Sequence, residues 1–202
     1  MEMRSVVARA GAVLALAVCV AALPAGAQEP QMSEQDKAMM EAMMKAGAPG
    51  KEHQWLASKA GSWAFAGKFW MNPAAPPMES TGTVERAAIL DGRVLAETVK
   101  SSFMGAPFEG HGMSGYDNVK KQFWGTWNDN MSTALMVSWG TCDGSGKCSF
   151  KTSVTDPMTG EARESRMESW EEGPDKEMFQ AYDKGPDGKE FKTMELTYTR
   201  KK

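Results

Sequence analysis

Alternation of apolar and polar residues recurs in short stretches along most of the chain. In one stretch Leu135, Val137 and Trp139 share a face, opposite Met136 and Ser138. A period of two residues is typical of a β-strand with one buried face. The pattern predicts about ten strands. They cover residues 63–68, 81–89, 94–103, 108–116, 122–129, 134–142, 147–155, 161–171, 178–183 and 190–200.

Compact turn signals separate these strands. They lie at residues 91–92, 116–118, 143–146, 156–160 and 185–188, and are rich in Gly, Asp, Asn and Pro. Such residues supply the backbone angles that tight turns require. Many short strands joined by tight turns predict an all-β antiparallel barrel or sandwich. No helical pattern of crossover length separates the strands, so a parallel sheet is not expected.

Two short helices are predicted before the first strand. Ser33 and Asp36 form a helix-start signal, and the helix covers residues 33–46 before Gly47. Residues 48–50 contain Pro and Gly and predict a hinge, and a second helix covers residues 51–60. Met39 and Met43 share one face of the first helix. Two roles are open for their thioethers. One is binding of Cu(I) or handling of oxidants. The other is an adaptable apolar stripe that packs on the domain or on a partner.

The first residues have the pattern of a secretory signal peptide. Arg4 and Arg9 give a positive start, residues 10–23 are apolar, and residues 25–27 are the small residues of a cleavage site. The apolar run is shorter than the roughly 20 residues of a membrane span. We therefore expect a signal peptide over 1–27, a Met-rich helix and hinge over 28–50, and a barrel domain over 51–202. The expected location is periplasmic or secreted, with no stable membrane span after cleavage.

Charge and cysteine content narrow the function further. Cleavage removes two of the 23 basic and one of the 26 acidic residues, so the remaining chain is mildly acidic. Its basic residues are scattered, which argues against a nucleic-acid surface. Cys142 and Cys148 are the cysteines that remain after cleavage, and in an exported protein they predict one disulfide.

Four motifs resemble a known family. They are PGKEHQWLASKAGSW from Pro49, GYDN from Gly115, WNDNM from Trp127 and GPDGKEFKTMELTYTRK from Gly185. In order and spacing they resemble the bacterial exported family called domain of unknown function 1579. The resemblance implies a calycin-like β-barrel, in which residues 61–63 resemble the G-x-W start of the first strand. It implies no particular substrate or reaction.

The last strand suggests how the barrel closes. Met194, Leu196, Tyr198 and Arg200 share one face. A closed meander pairs its last strand with its first, which brings Arg200 towards Trp63. Many calycin barrels stack a late arginine on this tryptophan, so the resemblance favours a structural role for the pair. The alternative is a ligand site in which Tyr198 and Arg200 hold a carboxylate.

Aromatic residues in the central strands are the main ligand-binding candidates. Trp127 and Asp129 point to one side of a strand and Trp124 to the other. Aromatics with a few polar groups are typical of a small-ligand cavity, although core packing explains them equally well. Tyr116 and His53 complete the candidate set, His53 because it matches a family position. A hydrogen bond between His53 and the barrel rim is the structural alternative.

The leading functional interpretation is non-enzymatic binding of a small, partly apolar ligand inside the barrel. An acid–base or metal-assisted enzyme at the barrel rim is the rival, and copper or oxidant handling by the Met-rich segment is a third. The two histidines of the chain show no zinc-ligand spacing, and no catalytic or metal residue is assigned. The sequence selects no cofactor and leaves the oligomeric state open.

Overall fold

The strands form a closed antiparallel barrel in which each strand pairs with its neighbour in sequence and the last pairs with the first. This computed structural model describes residues 32–185 and 187–202. The signal-peptide prediction for residues 1–27 lies outside the described residues. Closure removes every exposed sheet edge, which protects a meander from edge-to-edge aggregation. The all-β, up-and-down barrel prediction is confirmed.

The element bounds are as follows. Helix α1 spans Glu34–Gly47 and α2 spans Lys51–Ser58. The strands are β1 Gly61–Phe69, β2 Met78–Ile89, β3 Val94–Phe103, β4 Ala106–Asp117, β5 Gln122–Asp129, β6 Ser132–Cys142, β7 Cys148–Thr155, β8 Ala162–Glu171, β9 Lys176–Lys184 and β10 Glu190–Arg200.

Helix α2 covers one end of the barrel. Leu56 of α2 packs with Leu95 and Phe123, and all three side chains are buried. Gly61 begins β1, separated from the helix by two residues, and has φ 124°, a backbone angle that favours glycine. A Cβ at this position would also meet the Arg200 guanidinium at 3.0 Å. The Gly of the G-x-W motif therefore lets the chain turn from the covering helix into β1.

A second apolar cluster lies inside the barrel, against β1 and its neighbouring strands. Its buried members are Trp63, Phe65, Val84, Val99 and Leu196. They come from β1, β2, β3 and β10, the strands on either side of the closure. Burial of large apolar side chains is the main source of stability in such a domain. The closure is thus held by side-chain packing as well as by backbone hydrogen bonds.

The predicted disulfide joins Cys142 and Cys148, which pair directly across the β6–β7 hairpin. The two Cα atoms are 3.8 Å apart, and the bond closes a short loop. On the chain-entropy model, reduction should lower the free energy of unfolding by about 2–3 kcal/mol. Chemical denaturation with and without reductant measures this loss. A Cys142→Ser/Cys148→Ser variant should unfold at the reduced midpoint in both buffers. Equal midpoints for the oxidised and reduced wild type would contradict the prediction.

The Met-rich helix α1 exposes its methionines. Met39, Met40, Met43 and Met44 are each about half exposed or more. We predict that deleting residues 28–46 leaves the barrel folded and lowers Tm by less than about 10 °C. Asn118 Nδ2 donates to the Ala46 carbonyl at 2.9 Å, so deletion of residues 28–45, which keeps this acceptor, is the matched control. Loss of cooperative melting in both deletions would show that the helix belongs to the core.

Candidate ligand site in the barrel

The strand register identifies which residues face the inside of the barrel, here called the lumen. Trp63 pairs with Val84, Val84 with Val99, and Val99 with Gly110. Directly paired residues share one face of a sheet. Trp63 and Val84 are 1% and 0% exposed, so this face is the inner one. Every second residue of a strand faces the same side. Counting by twos from these positions therefore identifies the inward-facing residues of every strand.

One inner row consists of small residues. It runs across five neighbouring strands through Ser114, Gly125, Ser138, Thr152 and Ser165. A barrel of ten strands is wider than a barrel of eight strands. Side chains alone are enough to fill the interior of the eight-stranded barrel. The row covers five of the ten strands. Small side chains at these positions occupy less of the lumen than larger side chains would.

Several large side chains on the inner face remain half-buried rather than buried. They are Trp127, Met136, Phe179 and Tyr198. Trp127, Phe179 and Tyr198 pack against the buried cluster that contains Trp63. The inner face therefore presents an aromatic and thioether surface beside the small-residue row.

Thr152, in the middle of the small-residue row, carries a hydroxyl without a partner. The residue is 1% exposed, and its Oγ1 makes no hydrogen bond within the part of the chain that the structure describes. A buried hydroxyl left unpaired costs about 1–3 kcal/mol. Such groups are commonly satisfied by an ordered water or by a bound molecule. Thr152 therefore marks a polar position on the inner wall.

A charged cluster lies on the inner face next to α2. Arg86 Nε donates to Glu97 Oε2 at 3.1 Å, and its Nη1 donates to Glu177 Oε2 at 2.7 Å. The Arg86 side chain is 7% exposed, and its Cζ lies 5.0 Å from the ring centres of both Trp63 and Tyr198. This guanidinium is held by two carboxylates and packed between two rings.

Lys59, at the end of α2, extends the cluster. Its Nζ donates to Glu177 Oε1 at 2.8 Å and to Glu171 Oε1 at 2.5 Å. Burial raises the pKa of Glu177, but the charges of Arg86 and Lys59 and their hydrogen bonds outweigh it, so the pKa lies below its ordinary value. Glu177 is therefore ionised at neutral pH and ties α2 to the barrel wall.

Tyr198 contributes a neutral phenol to the same face. Its pKa is raised chiefly by burial and further by the charge of Glu97. The phenol stays protonated at physiological pH, so its hydroxyl both donates and accepts hydrogen bonds. Tyr198 thus adds a polar group to a wall otherwise formed by Phe65 and Phe179.

Of the residues predicted from sequence, Trp127 and Asp129 are brought together. Trp127 faces the lumen, where its ring lies against Gly110 and Gly112; a Cβ at Gly110 would meet it at 2.2 Å. Its Nε1 donates to Asp129 Oδ2 at 2.9 Å. Asp129 Oδ1 accepts from the backbone N–H of Met131 at 2.9 Å, which shapes the turn after β5. Asp129 therefore positions the indole as well as the turn.

Trp124 lies on the outer face of the barrel, away from Trp127. It pairs with Gly115, and a Cβ at that glycine would meet the indole at 2.3 Å. Aromatic residues on both faces of one strand suggested two lumen candidates, yet only one face of a strand points inward. The structure therefore separates Trp124 from the lumen.

His53 and Tyr116 lie where α2 meets the barrel. His53 is 4% exposed; its Nδ1 accepts from the Gly50 N–H at 3.0 Å and its Nε2 donates to the Tyr116 carbonyl at 3.1 Å. Both ring nitrogens are used, which fixes the orientation of the ring. The Tyr116 ring packs edge-on against Phe123. These contacts fasten α2 to the barrel, as the structural alternative for His53 described.

Arg200 and Trp63 meet at the closure. Arg200 Cζ lies 4.2 Å from the centre of the Trp63 ring. Nη1 of Arg200 donates to the Ala60 carbonyl at 2.6 Å, and Nη2 to the Ser58 carbonyl at 2.9 Å. The guanidinium therefore joins the last strand, the first strand and the end of α2.

Two open depressions lie at the end of the barrel away from α2. The first has a volume of about 490 Å³ and includes Met78, Ser80 and Met104. The second, of about 320 Å³, includes His111 and Asp129. Neither depression includes Trp124 or Trp127.

His111 belongs to the outer face beside the second depression. Its Nε2 lies 3.1 Å from Glu109 Oε1, and its Nδ1 lies 3.2 Å from Thr98 Oγ1. Across residues 32–185 and 187–202, no group of three or more His, Cys, Asp or Glu side chains is arranged to hold a metal ion.

The charged cluster was missed by sequence reasoning. Arg86 shares its strand face with Val84, and Glu97 shares its face with Val99. A charged residue that occupies an apolar position of the alternating strand pattern predicts a buried ion pair. Lys59 carries no such signal, because its partners Glu171 and Glu177 lie 112 and 118 residues further along the chain.

The fold and lumen together define a calycin-like β-barrel. The model of the family described as "Protein of unknown function (DUF1579)" matches residues 48–200, and the chain belongs to this family. A comparison with curated proteins found no match.

The solved structures that are similar to the chain include the following two. The crystal structure of Rv2717c from M. tuberculosis has a TM-score of 0.58 and 16% identity, covering 77% of this chain and all of that one. The S-type phycobiliprotein lyase CPES from Guillardia theta has a TM-score of 0.52 and 15% identity, covering 76% of this chain and 99% of that one. At these identities the likeness concerns the fold alone.

Proposed function

We propose that the chain binds a small, partly apolar molecule in the lumen and does not transform it. The observation that carries the proposal is the inner wall itself. The small-residue row and half-buried Trp127, Phe179 and Tyr198 belong to the same inner wall. Apolar and aromatic walls with a few polar groups are typical of small-molecule sites. The inner-facing hydroxyl of Thr152 and the carboxylate of Glu97 supply polar groups of this kind.

The same proposal places the protein outside the cytoplasm, in the periplasm or secreted. The Cys142–Cys148 disulfide is compatible with an oxidising compartment. Within the described ranges no helix combines the length and apolar character that crossing a bilayer requires. Cleavage after Ala27 is part of this proposal, and mass spectrometry of the exported protein tests it.

Binding of a neutral apolar dye tests the proposed function. N-phenyl-1-naphthylamine brightens in apolar surroundings, and we expect saturable enhancement with the wild type. Trp127→Ala removes an aromatic face of the lumen and should weaken dye binding at least tenfold. Trp124→Ala makes the same chemical change on the outer face of the same strand, and should leave affinity within twofold. Equal losses in both variants, or no saturable binding, would contradict the proposal.

A further inference from the structure

The cations of the inner cluster are all occupied by protein groups. Arg86 bonds to Glu97 and Glu177, and Lys59 bonds to Glu177 and Glu171. The guanidinium of Arg200 donates to two backbone carbonyls and covers Trp63. A carboxylate ligand would have to break one of these bonds to find a positive partner. The lumen is therefore poorly suited to fatty acids and other anions.

The carboxylates of the cluster differ in their exposure. Glu177 is 13% exposed and bonds to both Arg86 and Lys59, whereas Glu171 is 40% exposed and so is also solvated. Carboxylates removed from water are stabilised only when a positive partner is close. Glu97 pairs with Arg86, which it shares with Glu177.

Glu97 is the carboxylate best placed to receive a further positive charge. Only its Oε2 contacts Arg86, and its side chain is 25% exposed. Its Oε1 lies over Gly112, where a Cβ would stand 2.9 Å away, so the missing side chain leaves the oxygen room. The ring of Trp127 lies over the same glycine. A carboxylate oxygen and an aromatic ring together attract organic cations.

A second observation on the far wall also indicates a ligand or bridging water. The Thr152 hydroxyl is buried, lacks a partner within the described residues and points to the inner side. It is far from the charged cluster in the strand order, four strands from Glu97. A molecule with an apolar body and polar groups at both ends would satisfy both walls.

We propose that the lumen selects organic cations, with the protonated amine of an apolar or aromatic molecule bound to Glu97. This rests on the proposed lumen-binding function and names its ligand class. The amine donates to the free Glu97 oxygen and to the Tyr198 hydroxyl, while the apolar body contacts Trp127. Desolvation of the amine is offset by its ion pair with Glu97, whose protein partner Arg86 is shared with Glu177.

Three probes that share one skeleton test the proposal. Phenethylamine, 2-phenylethanol and 3-phenylpropanoate have the same phenylethyl body and carry a cationic, a neutral and an anionic head group. Calorimetric titration at neutral pH should show the amine binding at least tenfold more tightly than the other two. Glu97→Gln should reduce amine affinity about tenfold and leave that of the alcohol within twofold. Glu109→Gln, a carboxylate change on the outer face, is the matched control and should change neither.

The outcomes separate this inference from the proposed function. If the alcohol or the carboxylate binds in the lumen as tightly as the amine, the charge selection is overturned and lumen binding stands. If none of the three probes binds, and the neutral dye does not bind, both proposals fail. A Glu97→Gln variant that melts like the wild type yet keeps full amine affinity overturns the role of Glu97.

Discussion

Replacement of Trp63 by alanine is expected to lower the free energy of unfolding by about 3–5 kcal/mol. The residue is 1% exposed and lies between the guanidinium groups of Arg86 and Arg200. Its Nε1 also donates to the Lys59 carbonyl at 3.0 Å, which links α2 to β1. The variant therefore loses core packing, two cation–π contacts and a hydrogen bond at the closure. Denaturant-induced unfolding measures the loss.

Controls separate this loss from the general cost of removing an indole. Trp124→Ala makes the same change on the outer face, where the side chain is only half-buried, and should cost less than half as much. Arg200→Ala should be destabilising as well, and Arg200→Lys should recover only part of the loss, because an ammonium cannot reach both carbonyls in one plane. A Trp63→Ala variant as stable as Trp124→Ala would contradict the closure account.

Replacement of Arg86 by alanine is the second large effect, about 3–5 kcal/mol at neutral pH. It leaves Glu97 without its ion-pair partner and Glu177 with Lys59 alone. Neutralising the carboxylates in an Arg86→Met/Glu97→Gln/Glu177→Gln variant should restore much of the stability, since no unpaired charge then remains buried. If that triple variant is no more stable than Arg86→Ala, loss of the ion pairs is not the cause.

The same cluster predicts how wild-type stability depends on pH. The pKa of Glu177 is lowered in the folded state, so its contribution is fully present above its ordinary pKa near 4.5. That contribution should be lost as pH falls from this value through the lowered pKa. In Arg86→Ala, Glu177 keeps Lys59 but loses the guanidinium. Part of the dependence of stability on pH is therefore lost in this variant. The stability difference between the two proteins should therefore shrink in acid, as measured by denaturation between neutral pH and about pH 3.

The strand pattern was readable from sequence because each strand buries one face. The period of two predicted strands at residues 81–89 and 94–103, and β3 spans Val94–Phe103 as predicted. Strand ends differed elsewhere, as in β2, which begins at Met78 rather than at residue 81. Strand ends are set by backbone pairing with the neighbour, which does not require apolar residues. The closure of β1 on β10 followed from the need to leave no open edge.

The candidate site was only partly readable. Alternation placed Trp124 and Trp127 on opposite faces of β5 without indicating which face is inner. That choice depends on the register through β4 to Val99, which one strand's sequence does not contain. The inner charges were not predicted, because the partners of Arg86 lie on β3 and β9 and meet only once the barrel is closed.

The most direct test of the central claim is a crystal structure of the protein with N-phenyl-1-naphthylamine bound. The account predicts density for the aromatic rings inside the barrel, against Trp127 and the small-residue row that contains Thr152. The same dye seated outside the barrel, in the depression beside Met78 and Met104, with the lumen filled by side chains, would contradict it.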